Sequence, residues 1–144
     1  HSTLKKMEPL IVNVTINAPI EKVWAFFTEA EHIVNWNFAH ESWHCPKAEN
    51  NLEIGGEFFY TMAAKDKSAS FVFHGTYTEI IPLQKIEYHI EDGRKVEVFF
   101  HKIDEKTTEV FERFDPEMIN AIEMQEQGWQ SILNQFKNYT EGNF

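Results

Sequence analysis

The most constraining feature of this sequence is a long amphipathic segment near its C-terminal end, residues 115–139, which follows a series of strand-like stretches. Asp115 can cap a helix, and Pro116 suits the first helical position. Six apolar residues recur at three- and four-residue steps, which places them on one helix face. They are Met118, Ile122, Trp129, Ile132, Leu133 and Phe136. At about 1.5 Å per residue the helix would span roughly 35 Å, so we predict a curved antiparallel sheet bent around it, with space between them.

The composition limits what the chain can be and what it can bind. A length of 144 residues with 42% hydrophobic content suits one domain with a real core. The 13 Lys and Arg against 23 Asp and Glu give a net charge of −10, which repels phosphate backbones and anionic membranes and excludes nucleic acid as a partner. The single Cys45 permits no internal disulfide. Without a signal peptide or an apolar run of about 18 residues, we predict a cytoplasmic protein with no membrane insertion.

The pattern along the chain indicates one domain, residues 7–144, preceded by an extension, residues 1–6, that can include residues foreign to the natural sequence. Gly75 interrupts a strand and suggests a bulge or sharp curvature, and Asp92-Gly93 is typical of a hairpin turn. The residues between the second short helix and Gly55 are interpreted as a polar loop, within which the segment around His44 and Cys45 is typical of a loop or a strand. Two short helices are predicted at residues 21–27 and 29–36, and strands at residues 10–16, 57–62, 71–80, 84–90, 94–101 and 107–114.

Six stretches of the sequence carry a resemblance to a known family. They are APIEKVW (18–24), EHIVNWNF (31–38), WHCPKAENNLEIGGEF (43–58), GTYTEIIP (75–82), DGRKVEV (92–98) and GWQSILNQF (128–136). By the residues and the order of these stretches, the chain resembles the Hsp90 ATPase activator homologue 1-like (AHSA1-like) family of the START-like, Bet v 1-like (SRPBCC) superfamily. The resemblance covers nearly the whole chain after Met7. The resemblance implies an α+β helix-grip fold, in which a curved antiparallel sheet wraps around a long C-terminal helix and two short helices follow the first strand. It also implies a hydrophobic cavity between the helix and the sheet.

Alternation along the strands predicts which side chains face that cavity. The faces expected to look toward the helix carry Val96, Val98 and Phe100 on one strand, and Ile86, Tyr88 and Ile90 on another. In the last strand Glu112 points inward if Val110 and Phe114 do. A carboxylate on an apolar wall costs several kcal/mol unless it is paired or protonated, which makes Glu112 a candidate functional group. The alternative is a reversed register or a bulge, which would leave Glu112 in solvent or paired with Arg113.

The 21 aromatic residues suggest a ligand that is mostly apolar with a few polar groups, although aromatic side chains are also ordinary core fillers. Gln125 interrupts the apolar stripe of the helix where a cavity would lie, and Gly128 is interpreted as allowing close approach of helix and sheet. We place His44 at the rim of the interior. The predicted ligand-binding residues are Trp36, Phe38, Trp43, His44, Tyr60, Phe73, Tyr88, Phe100, Glu112, Gln125 and Trp129.

A second group, His40, His44 and Cys45, has the residue types of a zinc site. Its surroundings favour a loop or a strand rather than a helix, and no second cluster supplies further ligands, so we predict no metal and no cofactor. A Cys45–His44 nucleophile and base pair is disfavoured because sequence neighbours on a strand point to opposite faces. No phosphate-binding loop, dinucleotide-binding motif or nucleophile elbow is present in the sequence.

Three functions from different classes remain. The first is binding of a small, largely hydrophobic molecule between the last helix and the sheet. The second is an enzyme similar to polyketide cyclases or dehydratases, with Glu112 as general acid or base. The third is a stress-related co-chaperone with an Hsp90-type partner, which the resemblance alone implies. Whether the chain is a monomer or a homodimer stays open.

Overall fold

A computed structural model describes residues 8–142, so the predicted extension, residues 1–6, and the predicted domain start at residue 7 lie outside the described residues. The described chain folds into one seven-stranded sheet and three helices. In chain order these are β1 (Leu10–Ile16), α1 (Ile20–Thr28), α2 (Ala30–Ile33), β2 (Trp43–Asn50), β3 (Glu57–Ala64), β4 (Ser70–Ile81), β5 (Lys85–Ile90), β6 (Lys95–Asp104), β7 (Thr107–Phe114) and α3 (Ile122–Gly142).

The sheet is antiparallel throughout and has the order β1-β7-β6-β5-β4-β3-β2. Its twist and bulges curl it, so that one face encloses the core. Phe58 of β3, Val98 of β6 and Val110 of β7 are fully buried on that face, in the same cluster as Leu133 and Phe136 of α3. This arrangement confirms the predicted curved sheet around a C-terminal helix.

Helix α3 also covers the edge strand β1, whose backbone would otherwise be open to pairing with another chain. The Gln130 side chain accepts a hydrogen bond from the Asn13 N–H (3.3 Å) and donates one to the Asn13 carbonyl (2.9 Å). Near the other end of the helix, the Asn17 N–H donates to the Glu141 carboxylate at 2.8 Å. These contacts fix the angle at which α3 crosses the sheet.

The predicted start of the last helix, at Pro116, is wrong. Helix α3 begins at Ile122, and Met118, which was assigned to its buried face, is 77% exposed. The side chains of Glu117 and Gln125 satisfy the intervening backbone in a non-helical shape. The Glu117 carboxylate accepts hydrogen bonds from the N–H groups of Ile119 (2.9 Å) and Asn120 (2.6 Å). Asp115 caps no helix, because it extends the ladder by exchanging hydrogen bonds with Lys95 of β6.

Three further details differ from the sequence predictions. Residues 43–50, interpreted largely as loop, form the strand β2, which pairs with β3 around a register shift between His44 and Lys47. Helix α2 spans Ala30–Ile33 rather than residues 29–36, because tight turns follow it directly. The β4 bulge lies between Tyr77 and Glu79 rather than at Gly75. Gly75 instead lies opposite Phe58, whose ring occupies the place where a Cβ on residue 75 would be.

Candidate ligand-binding cavity

A cavity of about 510 Å³ lies between the curled sheet, α3 and the segment that leads into β2. The sheet contributes mainly aromatic residues, including Phe58, Tyr60, Phe73, Tyr77 and Tyr88. Helix α3 contributes Gln125, Gly128, Trp129 and Ile132. Phe71 and Met124, which are 50% and 64% exposed, also line the cavity and mark the end that opens to solvent.

Eight of the eleven predicted site residues lie on this wall, and their role in ligand binding stays a prediction. They are Trp36, Trp43, Tyr60, Phe73, Tyr88, Glu112, Gln125 and Trp129. Seven of them come together because period-two alternation in the strands and the 3.6-residue repeat of α3 direct them to the same enclosed space, and Trp36 reaches it from the turn after α2.

The other three predicted residues do not lie on the cavity wall. Phe100 faces inward as expected, but Trp24 and Phe27 of α1 cover it with ring centroids 4.9 Å and 5.4 Å away, so it belongs to the core. His44 precedes the buried Cys45 on β2, and neighbours on a strand point to opposite faces. Phe38 is half-buried and packs against the core beyond a tight turn, in which its N–H donates to the Trp36 carbonyl.

Glu112 is the only carboxylate with little solvent access in the described part of the cavity wall. It lies in the middle of β7, paired with Val98 on one side and Val12 on the other, and it is 7% exposed. Among residues 8–142, no hydrogen bond or ion pair reaches its carboxyl group. Burial raises the pKa of Glu112 to about 8.

The neighbouring residue, Arg113, forms no ion pair with the Glu112 carboxyl group. Its side chain lies on the outer face of the sheet, where Nη2 is 2.7 Å from the Glu97 carboxylate. The register is therefore the one predicted with Glu112 inside, and the alternative of a solvated or Arg113-paired Glu112 is wrong. Glu97, on the outer face, is the carboxylate that pairs with Arg113. Burial alone would raise the pKa of Glu97, but hydrogen bonds from Arg113 and Lys85 hold it below its usual value.

Tyrosine hydroxyls supply further polar groups on the wall. The Tyr77 hydroxyl donates to Asn50 Oδ1 at 2.6 Å, and Asn50 Nδ2 donates to the Thr28 carbonyl at 2.6 Å. Burial raises the pKa of Tyr77 to about 12. Burial first, and then the nearby Glu112 charge, places the pKa of Tyr88 well above its usual value. The side chain of Tyr88 therefore keeps its proton at any physiological pH.

Sequence reasoning missed Tyr77 and Asn37 as cavity residues. Tyr77 could have been found, since it follows Phe73 and Gly75 at two-residue steps on the same strand face. Asn37 lies in a turn without periodicity and gave no such signal. Its buried Nδ2 atom forms no hydrogen bond of normal geometry among the described residues, and the side chain lies beside the Cys45 thiol, whose pKa it lowers against the larger effect of burial.

Gln125 is buried as predicted, but its side-chain oxygen and nitrogen already form hydrogen bonds within the protein. Its Oε1 accepts from the Glu117 N–H at 2.9 Å, while Nε2 donates to the carbonyls of Glu117 (3.0 Å) and Asn120 (2.9 Å). Gln125 therefore anchors the loop before α3 to the helix, and the cavity gains little hydrogen-bonding capacity from it.

Gly128 has a different role from the predicted close approach of helix and sheet. A Cβ built on this residue meets no atom within 4 Å, although the residue lines the cavity. The absence of a side chain at residue 128 thus adds to the volume of the cavity. The prediction that Gly128 allows close approach of the helix and the sheet is wrong.

The alternative zinc site of His40, His44 and Cys45 is not assembled. His40 Nδ1 is 2.7 Å from Ser42 Oγ, and the potential ligand atoms of His40, His44 and Cys45 do not all come within 4.8 Å of one another. In the described part of the chain, the only cluster with metal-ligand geometry is Glu29, Glu31 and His32 on the surface. His32 Nδ1 there already contacts the Tyr139 hydroxyl at 2.8 Å.

Cys45 is also unsuited to act as a nucleophile. Burial raises the pKa of its thiol to about 11, so the reactive thiolate is scarce at neutral pH.

The fold and the enclosed cavity define a helix-grip protein of the Bet v 1-like type. Residues 17–141 match the family model of the activator of Hsp90 ATPase homolog 1-like protein, and the chain belongs to that family. The AHSA1-like protein from Aeromonas hydrophila is 36% identical, and the alignment covers 92% of this chain and 93% of that one, with a TM-score of 0.84.

Two other solved structures are similar in fold at different levels of sequence identity. A protein from Cytophaga hutchinsonii is 50% identical over 94% of this chain and 93% of that one, with a TM-score of 0.80. A protein from Chromobacterium violaceum is 20% identical over 94% and 99% of the two chains, with a TM-score of 0.81, and shows the shared fold alone. None of the curated proteins matches this chain. No helix in residues 8–142 is long and apolar enough to cross a membrane.

Proposed function

We propose that this protein binds one small, largely hydrophobic molecule in the cavity between α3 and the sheet. The observation that carries the proposal is the cavity itself: about 510 Å³, with a sheet wall that is mainly aromatic and a single unpaired carboxyl group. Ligand sites for small molecules typically measure about 300–1,000 Å³ and combine an apolar wall with a few polar groups.

The energetics favour an apolar ligand body. Burying about 300 Å² of apolar ligand surface contributes roughly 7 kcal/mol at 25 cal/mol per Å², before the cost of immobilising the ligand. The preformed rings of Phe73 and Trp129, which are only partly buried, provide part of that surface without ordering a loop. Tyr88 and Glu112 supply the polar contacts that would orient a ligand.

Gly128 offers a direct test. In a titration with the neutral dye N-phenyl-1-naphthylamine, we expect one bound dye per native chain. Gly128→Phe projects a ring into the empty volume and should abolish dye binding while the helix stays folded, since a non-glycine residue is favoured inside a helix. Gly142→Phe, at the exposed end of the same helix, is the matched control and should bind like the parent.

Equal dye binding by the parent and the Gly128→Phe variant would refute a ligand site in this cavity. So would the absence of dye binding to the parent. Native mass spectrometry of protein purified from its own host would in addition give the mass of any molecule that co-purifies.

One observation favours the second candidate, an enzyme similar to polyketide cyclases or dehydratases. A carboxyl group with a pKa of about 8 and no fixed partner can give and take protons near neutral pH, as a general acid–base catalyst must. Exchange of an acidic C–H of a bound β-diketone with deuterated solvent, lost in Glu112→Gln, would support turnover. The predicted Hsp90-type partner has the family description as its support.

A further inference from the structure

The geometry points to an organic amine as the ligand class, with its ammonium group held between the Glu112 carboxylate and the tyrosine rings, and its apolar body along Trp129 and Phe73. This inference rests on the proposed ligand-binding function and goes beyond it. The chemistry of the cavity wall favours a positively charged group on the ligand in addition to an apolar body.

The first argument is an inventory of charge along the described cavity wall. Arg94 is engaged by Asp92, whose carboxylate lies 2.8 Å from Nε. Glu117 accepts hydrogen bonds from backbone N–H groups of its own loop. His40 contacts Ser42. Glu112 alone keeps its full hydrogen-bonding capacity, and an unpaired buried carboxylate is stabilised by an arriving cation and destabilised by an arriving anion.

The second argument concerns the surroundings of Glu112. On the adjacent strands β1 and β6 its paired residues, Val12 and Val98, are apolar. Helix α3 contributes only uncharged residues to the same enclosed region, and the titratable groups facing it from β3, β4 and β5 are Tyr60, Tyr77 and Tyr88. No Lys, Arg or His in residues 8–142 lies close enough to influence Glu112. The structure thus leaves the counter-charge to the ligand.

The third argument is the ring content. Phe58 lies within 4.6 Å of Tyr60 and 4.8 Å of Tyr88, measured between ring centroids, so aromatic rings are clustered on this wall. The face of an aromatic ring carries partial negative charge and attracts ammonium groups, most strongly where water is excluded. The net charge of −10 adds an attraction for cations at low ionic strength.

The test compares three molecules with the same apolar body: 4-phenylbutylamine, 4-phenylbutan-1-ol and 4-phenylbutanoate, each displacing N-phenyl-1-naphthylamine from the folded protein. We expect the amine to bind about tenfold tighter than the alcohol, and the carboxylate to bind weakest. Glu112→Gln should remove the preference for the amine. Glu109→Gln removes the same charge elsewhere on β7 and should retain the preference.

A second measurement uses the parent protein alone. Because the empty site holds Glu112 protonated below a pH of about 8, pairing with an ammonium ion should release a proton. The affinity for the amine should therefore rise, by up to tenfold per pH unit, between about pH 6 and about pH 8, and the affinity for the alcohol should not. Calorimetry in buffers of different ionisation enthalpy measures the released proton directly.

Equal affinity for amine and alcohol, or a preference for the amine that survives Glu112→Gln, would overturn this inference. In either case, displacement of the dye by the alcohol would leave the proposed ligand-binding function standing. If the dye itself fails to bind the parent, both the inference and the proposed function are refuted. If Glu112→Gln does not fold, the pH dependence and proton release of the parent decide the question.

Discussion

The indole ring of Trp129 lies flat on the phenyl ring of Phe114, with centroids 4.0 Å apart and planes inclined by 11°. This contact joins the middle of α3 to the last residue of β7, two positions beyond Glu112 on the same strand face. The helix is thus held against the sheet beside the carboxyl group while the cavity stays open. The stacked pair is therefore both a structural clamp and part of the cavity wall.

Truncation of this clamp should destabilise the protein. We expect Trp129→Ala to lower the free energy of unfolding by about 2–4 kcal/mol, somewhat less than for a fully enclosed Trp, because one side of the ring already faces the cavity. Urea denaturation followed by circular dichroism measures the change. Met124→Ala, on the exposed part of the same helix, should change the free energy by less than about 0.5 kcal/mol. Equal effects of the two substitutions would contradict the clamp.

Glu112 should make the stability of the protein depend on pH in a defined direction. Its pKa is raised in the folded state, so the native protein holds this proton more tightly than the unfolded chain does. The group therefore costs nothing at low pH, increasingly opposes folding from about pH 4.5 to about pH 8, and adds no further penalty above that range.

Glu112→Gln should remove this dependence. At pH 7 we expect the variant to be more stable than the parent by about 1–3 kcal/mol, allowing for the cost of burying an amide. At about pH 4 the gain should disappear. Urea denaturation of both proteins from pH 4 to pH 9 measures the difference, and a difference that does not change with pH would show that the buried carboxyl is compensated by another group.

Gln125 should govern the loop that precedes α3. Gln125→Leu keeps the apolar volume but removes the three hydrogen bonds to Glu117 and Asn120, leaving backbone groups without partners. We expect a loss of about 1–3 kcal/mol in stability and faster amide hydrogen exchange in residues 116–121. Gln127→Leu, on an exposed position two residues along, is the control. Unchanged exchange in the loop would mean that its shape is maintained without Gln125.

Gly75 should tolerate no side chain. Even Gly75→Ala places a methyl group where the Phe58 ring lies, within the core of β3 and β4. We expect a loss of about 1–3 kcal/mol from overpacking, measured by thermal denaturation. The double variant Gly75→Ala with Phe58→Leu should recover part of the loss, since the smaller side chain frees the space. Failure of Phe58→Leu to compensate would place the strain elsewhere.

The local patterns in the sequence were sufficient to predict six of the seven strands, β2 being the exception. Alternation predicted the bounds of β1 and β7 as the structure has them, and it put Glu112 on the same strand face as Val110 and Phe114, which the structure shows to be the inner face. A period of two residues is a property of extended backbone itself, so it can be recognised before any tertiary contact is known. The positive backbone angle at Gly93 confirms the hairpin turn for the same local reason.

Tertiary structure decided where the last helix begins and which residues pack against the inner face of the sheet. Met118 continues the helical stripe in sequence, yet the hydrogen bonds of Glu117 and Gln125 hold residues 117–120 in a non-helical loop, so the helix begins after Met118, at Ile122. Phe100 shares the inward alternation, but α1 packs over it and excludes it from the cavity. The empty space beside Gly128 and the unpaired state of Glu112 depend on how far apart the helix and the sheet lie. That separation is set by long-range packing, which no periodicity in one segment encodes.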